Sequence, residues 1–182
     1  MIKPIILLIA VAILLSGCTS SEVKKVDAAA SQTAATSTPD VKTFKVAGVG
    51  ETLTNDELKI TLNSAEFMEA IPSQNEYLTA IAKADYTFAV VEVTIENVYS
   101  KPSAVSSLIQ FKVVDSDGYK YDMSFAGYTA LDLHLDGTLQ PGDKVRGKLA
   151  FEVPKSSKDL QMVFNFGLTD TAQAKFTLGT PK

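Results

Sequence analysis

From Phe88 to Asn97 the chain reads Phe-Ala-Val-Val-Glu-Val-Thr-Ile-Glu-Asn, and this stretch limits the possible fold more than any other. Val91, Val93 and Ile95 share one parity; Glu92, Thr94 and Glu96 share the other. Successive side chains of a strand point to opposite faces, so a period of two predicts a strand buried on one side and wet on the other. Such a strand belongs in an antiparallel sheet with a solvated outer face. The same period recurs along the chain. Phe44 and Val46 flank Lys45 before Gly48 and Gly50 break the run, and Leu58, Ile60 and Leu62 alternate with Lys59, Thr61 and Asn63 after an Asn55-Asp56 turn. Val145, Gly147, Leu149, Phe151 and Val153 share a parity, and Pro154, which can donate no ladder bond, stops that strand. Leu160, Met162, Phe164 and Phe166 alternate, and Phe176 and Leu178 close the pattern.

Turn chemistry separates these runs. Leu108–Val114 leads into Asp115-Ser116-Asp117-Gly118 and then Tyr119-Lys120-Tyr121, which predicts a hairpin with Gly118 at positive φ. Leu139-Gln140-Pro141-Gly142-Asp143 is a second turn. About seven to nine short strands without a long helix predict an all-β chain, built as an antiparallel β-sandwich.

The chain has a single cysteine, Cys18, at the end of Ile13-Leu-Leu-Ser-Gly-Cys18. Lys3, the apolar run from Ile5 to Leu15 and the small pair Ser16-Gly17 have the three parts of an export signal. A stable span needs about 20 apolar residues, more than this run supplies. The motif resembles a prokaryotic lipobox, which implies cleavage before Cys18, lipidation of its sulfur and tethering to the outer face of a membrane. An uncut short anchor and a plain secretory signal are the competing readings. A lipidated Cys18 leaves no thiol for a disulfide, a metal site or a nucleophile. The expected organisation is a signal peptide over 1–17, a lipidated cysteine and disordered Ser/Thr/Ala linker over 18–42, and a sandwich over 43–182. The linker has no aromatic residue and too little apolar area to offset ordering entropy.

Losing Lys3 with the signal leaves 16 basic against 21 acidic side chains, a net of about −5, with Arg146 the only arginine. Nucleic acid demands a basic stripe, and anionic lipid a basic patch, so neither is an expected partner by charge.

Three segments resemble a known family. They are Phe88–Asn97, the hairpin from Phe111 to Tyr121, and Leu139–Pro154 with its Pro-Gly turn, Gly147, Phe151 and Val153-Pro154. The family is the telokin-like, immunoprotective-extracellular domain of unknown function, common on prokaryotic lipoproteins and secreted proteins. The resemblance covers roughly Phe44–Leu178 and implies an Ig-like sandwich. It implies no activity and no catalytic residues. Met68–Tyr86 is an extra segment relative to shorter members.

Candidate sites are few. His134, the only histidine, lies in Leu131-Asp-Leu-His-Leu-Asp136. In an extended segment Asp132, His134 and Asp136 share a face, where they could hold a divalent metal or simply form a polar strand face. Asp115, Asp117 and Asp122 resemble the start of a calcium loop but lack its later ligands, and a hairpin turn is the competing reading. Gly-x-Ser-x-Gly, His-Glu-x-x-His and phosphate-cradling loops are missing from the sequence. Within Met68–Tyr86, the spacing of Tyr77, Leu78, Ile81 and Ala82 predicts one or two helical turns capped by Ser73 or Asn75. Tyr77, Leu78 and Ile81 are therefore loop candidates for partner binding, because sandwiches recognise through their end loops. The expected function is a membrane-anchored extracytoplasmic lipoprotein presenting a non-enzymatic binding module, without cofactor, to a protein or envelope component. The alternative is a small-ligand or metal-binding envelope lipoprotein, with a pocket near His134 or Tyr128.

Overall fold

The alternating parities become the two inner faces of a β-sandwich. The computed structural model describes residues 46–167 and 172–182. The signal at 1–17, Cys18, the linker to 42 and Phe44 lie outside the described residues. Among the described residues thirteen strands run in chain order: β1 (Val46–Ala47), β2 (Thr52–Thr54), β3 (Leu58–Met68), β4 (Ala70–Ile71), β5 (Ala80–Ile81), β6 (Tyr86–Asn97), β7 (Ser103–Val105), β8 (Phe111–Val114), β9 (Lys120–Tyr121), β10 (Gly137–Leu139), β11 (Lys144–Pro154), β12 (Leu160–Asn165) and β13 (Gln173–Gly179). Two short helices, α1 (Ser107–Gln110) and α2 (Phe125–Ala130), and a 3-10 turn at Glu76–Leu78 complete them.

Nine strands form the two large sheets, ordered β1-β13-β12-β8-β9 and β11-β6-β3-β2. The remaining four pair as β10-β7 and β4-β5. Among the described strands only β1 with β13 is parallel. One inner face carries Leu58, Ile60, Leu62, Val91, Val93, Ile95, Leu149, Phe151 and Val153, and the other Phe111, Val113, Met162, Phe164 and Phe176; all are at most 1% exposed. At about 1.5–3 kcal/mol per buried large apolar side chain, this layer is the main favourable term in a fold whose described residues contain no cysteine.

One extra residue changes the parity of β3. Leu62 faces Val93 and Ser64 faces Glu92, so Asn63 is bulged out. Its Nδ2 donates to Thr94 Oγ1 at 2.8 Å. Before the bulge, Leu58, Ile60 and Leu62 point inward; after it, Ala65 and Phe67 do. Such a bulge bends the strand and re-aims its side chains.

Both turns form as expected. In the hairpin between β8 and β9, Gly118 has φ of 86°. Asp115 Oδ1 accepts the N–H groups of Asp117 and Tyr119 at 3.0 and 2.9 Å, and Oδ2 accepts the Tyr121 hydroxyl at 2.7 Å. That carboxylate is spent on the turn, while Asp122 pairs with Lys112 at 3.9 Å.

Three local expectations need correction. Residues 107–110 form α1 instead of continuing the strand at 111, leaving Leu108 and Ile109 at 68% and 52% exposure. Gln110 causes this: its N–H bonds Ser106 O at 3.1 Å while its side chain accepts the Ser106 N–H at 2.8 Å, closing one turn. The helical spacing at 77–82 yields only the 3-10 turn, after which Ala80-Ile81 enters β5. Asn75 does cap it, accepting the Tyr77 N–H on its side chain at 3.1 Å. Finally, the outer face of β6 is not wet throughout, because Phe88 and Val90 are buried there by a second apolar layer.

Candidate functional site

That second layer defines the candidate surface. Ile71 and Ala80 from the β4-β5 pair and Ala130 and Leu131 from the end of α2 pack over Phe88, Val90 and Ala150. The outer face of the four-stranded sheet is thus roofed at one end by two segments, 69–86 and 123–136. Ser124 caps α2, its Oγ accepting the Gly127 N–H at 3.2 Å. Polar ties hold the first segment down. Glu152 Oε1 accepts the Lys83 N–H and Oε2 pairs with Lys83 Nζ, both at 2.8 Å. Burial pushes the Glu152 carboxyl up, and the bonds from Lys83 outweigh it, so its pKa lies below the usual value. Lys155 pairs with Glu69, and Thr87 Oγ1 donates to Met68 O at 3.1 Å.

The roof exposes four large apolar side chains among exposed polar ones such as Gln74, Thr79 and Lys83. Tyr77 is 88% exposed, Ile81 77%, Phe125 75% and Leu78 46%. Clustered exposed apolar side chains mark interaction surfaces more often than scattered ones. The three loop residues singled out from the sequence therefore all lie on the surface, and Phe125 joins them from α2, which packs against both the 3-10 turn and β5. Sequence reasoning missed Phe125 because α2 has six residues and a central glycine. Ser124 as an N-cap was the available signal.

The histidine region is built differently from its expected form. Residues 131–136 are not in a strand. Leu131 and Leu135 are buried, but Leu133 is 43% exposed. Asp136 Oδ1 accepts the Ser107 N–H at 2.8 Å, and Oδ2 accepts Ser107 Oγ at 2.6 Å and the Tyr128 hydroxyl at 2.5 Å. The His134 ring meets the Tyr128 ring edge-on, with centroids 4.3 Å apart. Burial pushes the Asp136 carboxyl up, but the bonds from Ser107 and Tyr128 outweigh it and hold its pKa below 3.8. Burial, helped by that carboxylate, raises the Tyr128 phenol above 10.0. Asp136 thus ties α1, α2 and the 131–136 segment together. Among the described residues no three of His, Cys, Asp and Glu come together to hold a metal, and Asp132, His134 and Asp136 do not converge. Cys18 lies outside the described residues.

Residues 47–174 match the family described as "Domain of unknown function (DUF4352)". No curated protein matches the chain. Solved structures share the fold. An uncharacterized β-sandwich protein from Clostridium difficile 630 aligns at TM-score 0.52 and 19% identity, over 77% of this chain and 99% of that one. The "putative lipoprotein (ycdA)" of Bacillus subtilis aligns at TM-score 0.55 and 18% identity, over 70% of this chain but 38% of that one. The secreted protein MPT63 of Mycobacterium tuberculosis aligns at TM-score 0.52 and 14% identity, over 75% and 98%. At these identities the likeness is one of fold.

Proposed function

The chain belongs to the DUF4352 family of domains of unknown function, and on that premise we propose that it is a membrane-anchored extracytoplasmic lipoprotein whose sandwich presents a non-catalytic interaction surface. The sandwich is Ig-like in this reading, and the surface is the roof bearing Tyr77, Leu78, Ile81 and Phe125. The partner is a protein or another envelope component. One observation carries the proposal: exposed apolar side chains stand on a substructure whose underside is packed and pinned. Ile71 and Ala80 beneath them are at most 5% exposed. A pinned platform loses little entropy when it binds, which is the physical advantage of preorganisation. The lipobox-like motif ending at Cys18, with a "putative lipoprotein" and a secreted protein among the structural neighbours, supports the extracytoplasmic half of the reading.

The test is a photocrosslinking residue at position 77 in native membranes, with position 112 on the five-stranded sheet as control. One adduct at 77 and not at 112 supports the roof as the binding face. An identical adduct pattern at both positions, or none at either, overturns it.

A further inference from the structure

The four-stranded sheet has two borders, and the chain treats them differently. Along β11, Phe151 bridges Met123, Ala150 O accepts the Ser124 N–H at 2.8 Å and the Lys148 N–H donates to Leu133 O at 2.9 Å. The 123–136 segment covers that border over residues 148–151. Along β3, β2 pairs only with Lys59–Thr61, and Gly50 and Glu51 extend the pairing to Leu62. Beyond the bulge at Asn63, residues 64–68 pair with β6 alone among the described residues.

The bare border is flanked by concavities. A groove of about 430 Å³ runs beside it, with Ala65, Phe67 and Leu178 on its apolar side and Glu69, Lys155 and Lys182 at its polar rim. A trough of about 300 Å³ lies on the outer face, lined by Ser64, Glu66, Ile71, Leu131, Asp132 and Lys148. Side chains of an added strand would alternate between them, because neighbours on a strand face opposite ways. The inner row would sit beside Ala65 and Phe67. The outer row would meet Glu66, which is exposed and has no cation paired with it among the described residues; nor does Asp132 across the trough.

We infer that the border of β3 at residues 64–68 is a docking site for one extended peptide segment of a partner protein, carrying apolar side chains on its inner row and a Lys or Arg opposite Glu66. Main-chain bonds would supply affinity, and the two concavities would supply selectivity. A second copy of this chain is a poorer occupant. Pairing β3 with itself about Glu66 would oppose two carboxylates, which is destabilising across a strand pair. The trough borrows Ile71, Leu131 and Asp132 from the roof segments, but none of Tyr77, Leu78, Ile81 and Phe125 lines either concavity, so either reading can fail alone.

The test uses the full chain in zwitterionic detergent micelles and a synthetic peptide alternating Val and Lys. Amide hydrogen exchange in 63–68 should slow several-fold at saturation, with no comparable change along β11. The same peptide with a central Pro should give no protection. Glu66→Lys should weaken the Val–Lys peptide at least several-fold and favour a Val–Glu peptide instead. The inference is overturned by unchanged exchange at 63–68, by equal protection from the Pro peptide, or by indifference to Glu66→Lys. Protection of 63–68 without peptide that grows with protein concentration would assign the border to a second copy and overturn it equally.

Discussion

A β-carbon on Gly127 would stand 2.7 Å from the Cβ of Ala150, so α2 touches the sheet through a missing side chain on one partner and the smallest one on the other. Ile71 Cδ1 and Phe88 Cε1 would each lie 3.3 Å from the same carbon. Gly127→Ala should therefore destabilise the domain by about 1–3 kcal/mol, the usual cost of overpacking. Gly127→Ala with Ala150→Gly should recover part of that loss. Denaturant titration of the four proteins of this cycle would measure the coupling, and strict additivity would show that the contact does not set the height of the roof.

Asn97 should be among the costliest polar positions. It is 0% exposed, and Nδ2 donates to Lys101 O at 2.8 Å and Leu139 O at 2.9 Å, while Oδ1 accepts the Tyr99 N–H at 2.9 Å. Asn97→Asp replaces a donor with an acceptor facing two carbonyls. A loss of at least about 1–3 kcal/mol is expected for the groups left unpaired, read as a lower urea midpoint.

Acid should loosen the tie at Asp136. Its folded pKa lies below the ordinary 3.8, so the unfolded chain binds the proton first. The stabilisation is complete above that value and disappears as pH falls through the lower folded one. Glu152 behaves the same way below 4.5. Tyr128 has the opposite sense: its contribution is complete below 10.0 and fades as pH climbs through its raised folded value. Asp136→Asn should make the acid limb shallower, with Glu152 still contributing to it, and weaken only part of the alkaline limb, since burial is the larger cause of the Tyr128 shift; thermal melts across the range would measure both.

Changes on the roof should separate binding from folding. Tyr77→Ala and Phe125→Ser should alter stability by no more than about 0.5 kcal/mol, since the side chains are exposed. Partner captured through a photocrosslinking residue moved to position 81 should fall in both. Partner loss accompanied by a large drop in melting temperature would point to damage of the layer beneath.

Cys18→Ser should abolish incorporation of labelled fatty acid and leave the precursor uncut. Processing at the normal rate would remove the lipoprotein reading.

The sandwich was legible because its long strands bury one row of side chains: the parities of Val91–Ile95 and Leu160–Phe166 carried straight into the inner faces. The three segments of family resemblance turn out to be structural. Asn97 closes two loops, Gly142 at φ 85° donates its N–H to Asn97 O at 2.9 Å, and Gly147 leaves room for Leu135, whose Cγ a Cβ would approach to 2.7 Å. Such residues report how the chain folds and say little about what it binds. The roof was only half legible. Tyr77, Leu78 and Ile81 carried a local signal, but the burial of Phe88 and Val90 depends on a segment some 40 residues away in sequence, α2, whose single turn and a half has too few residues to show a period. The Asp136 tie was hidden for the same reason: Ser107 and Tyr128 meet it only in space.

The covered border at β11 has a consequence for valence. A sheet that polymerises border to border needs two open borders on every copy. Among the described residues β3 is bare over 64–68, while the 123–136 segment bonds β11 at Lys148, Ala150 and Phe151. On the docking inference above, strand addition at 64–68 would end after a single event, with one-to-one stoichiometry. On the lipoprotein reading, a chain tethered among crowded neighbours would by this asymmetry be able to capture a strand without seeding a fibre.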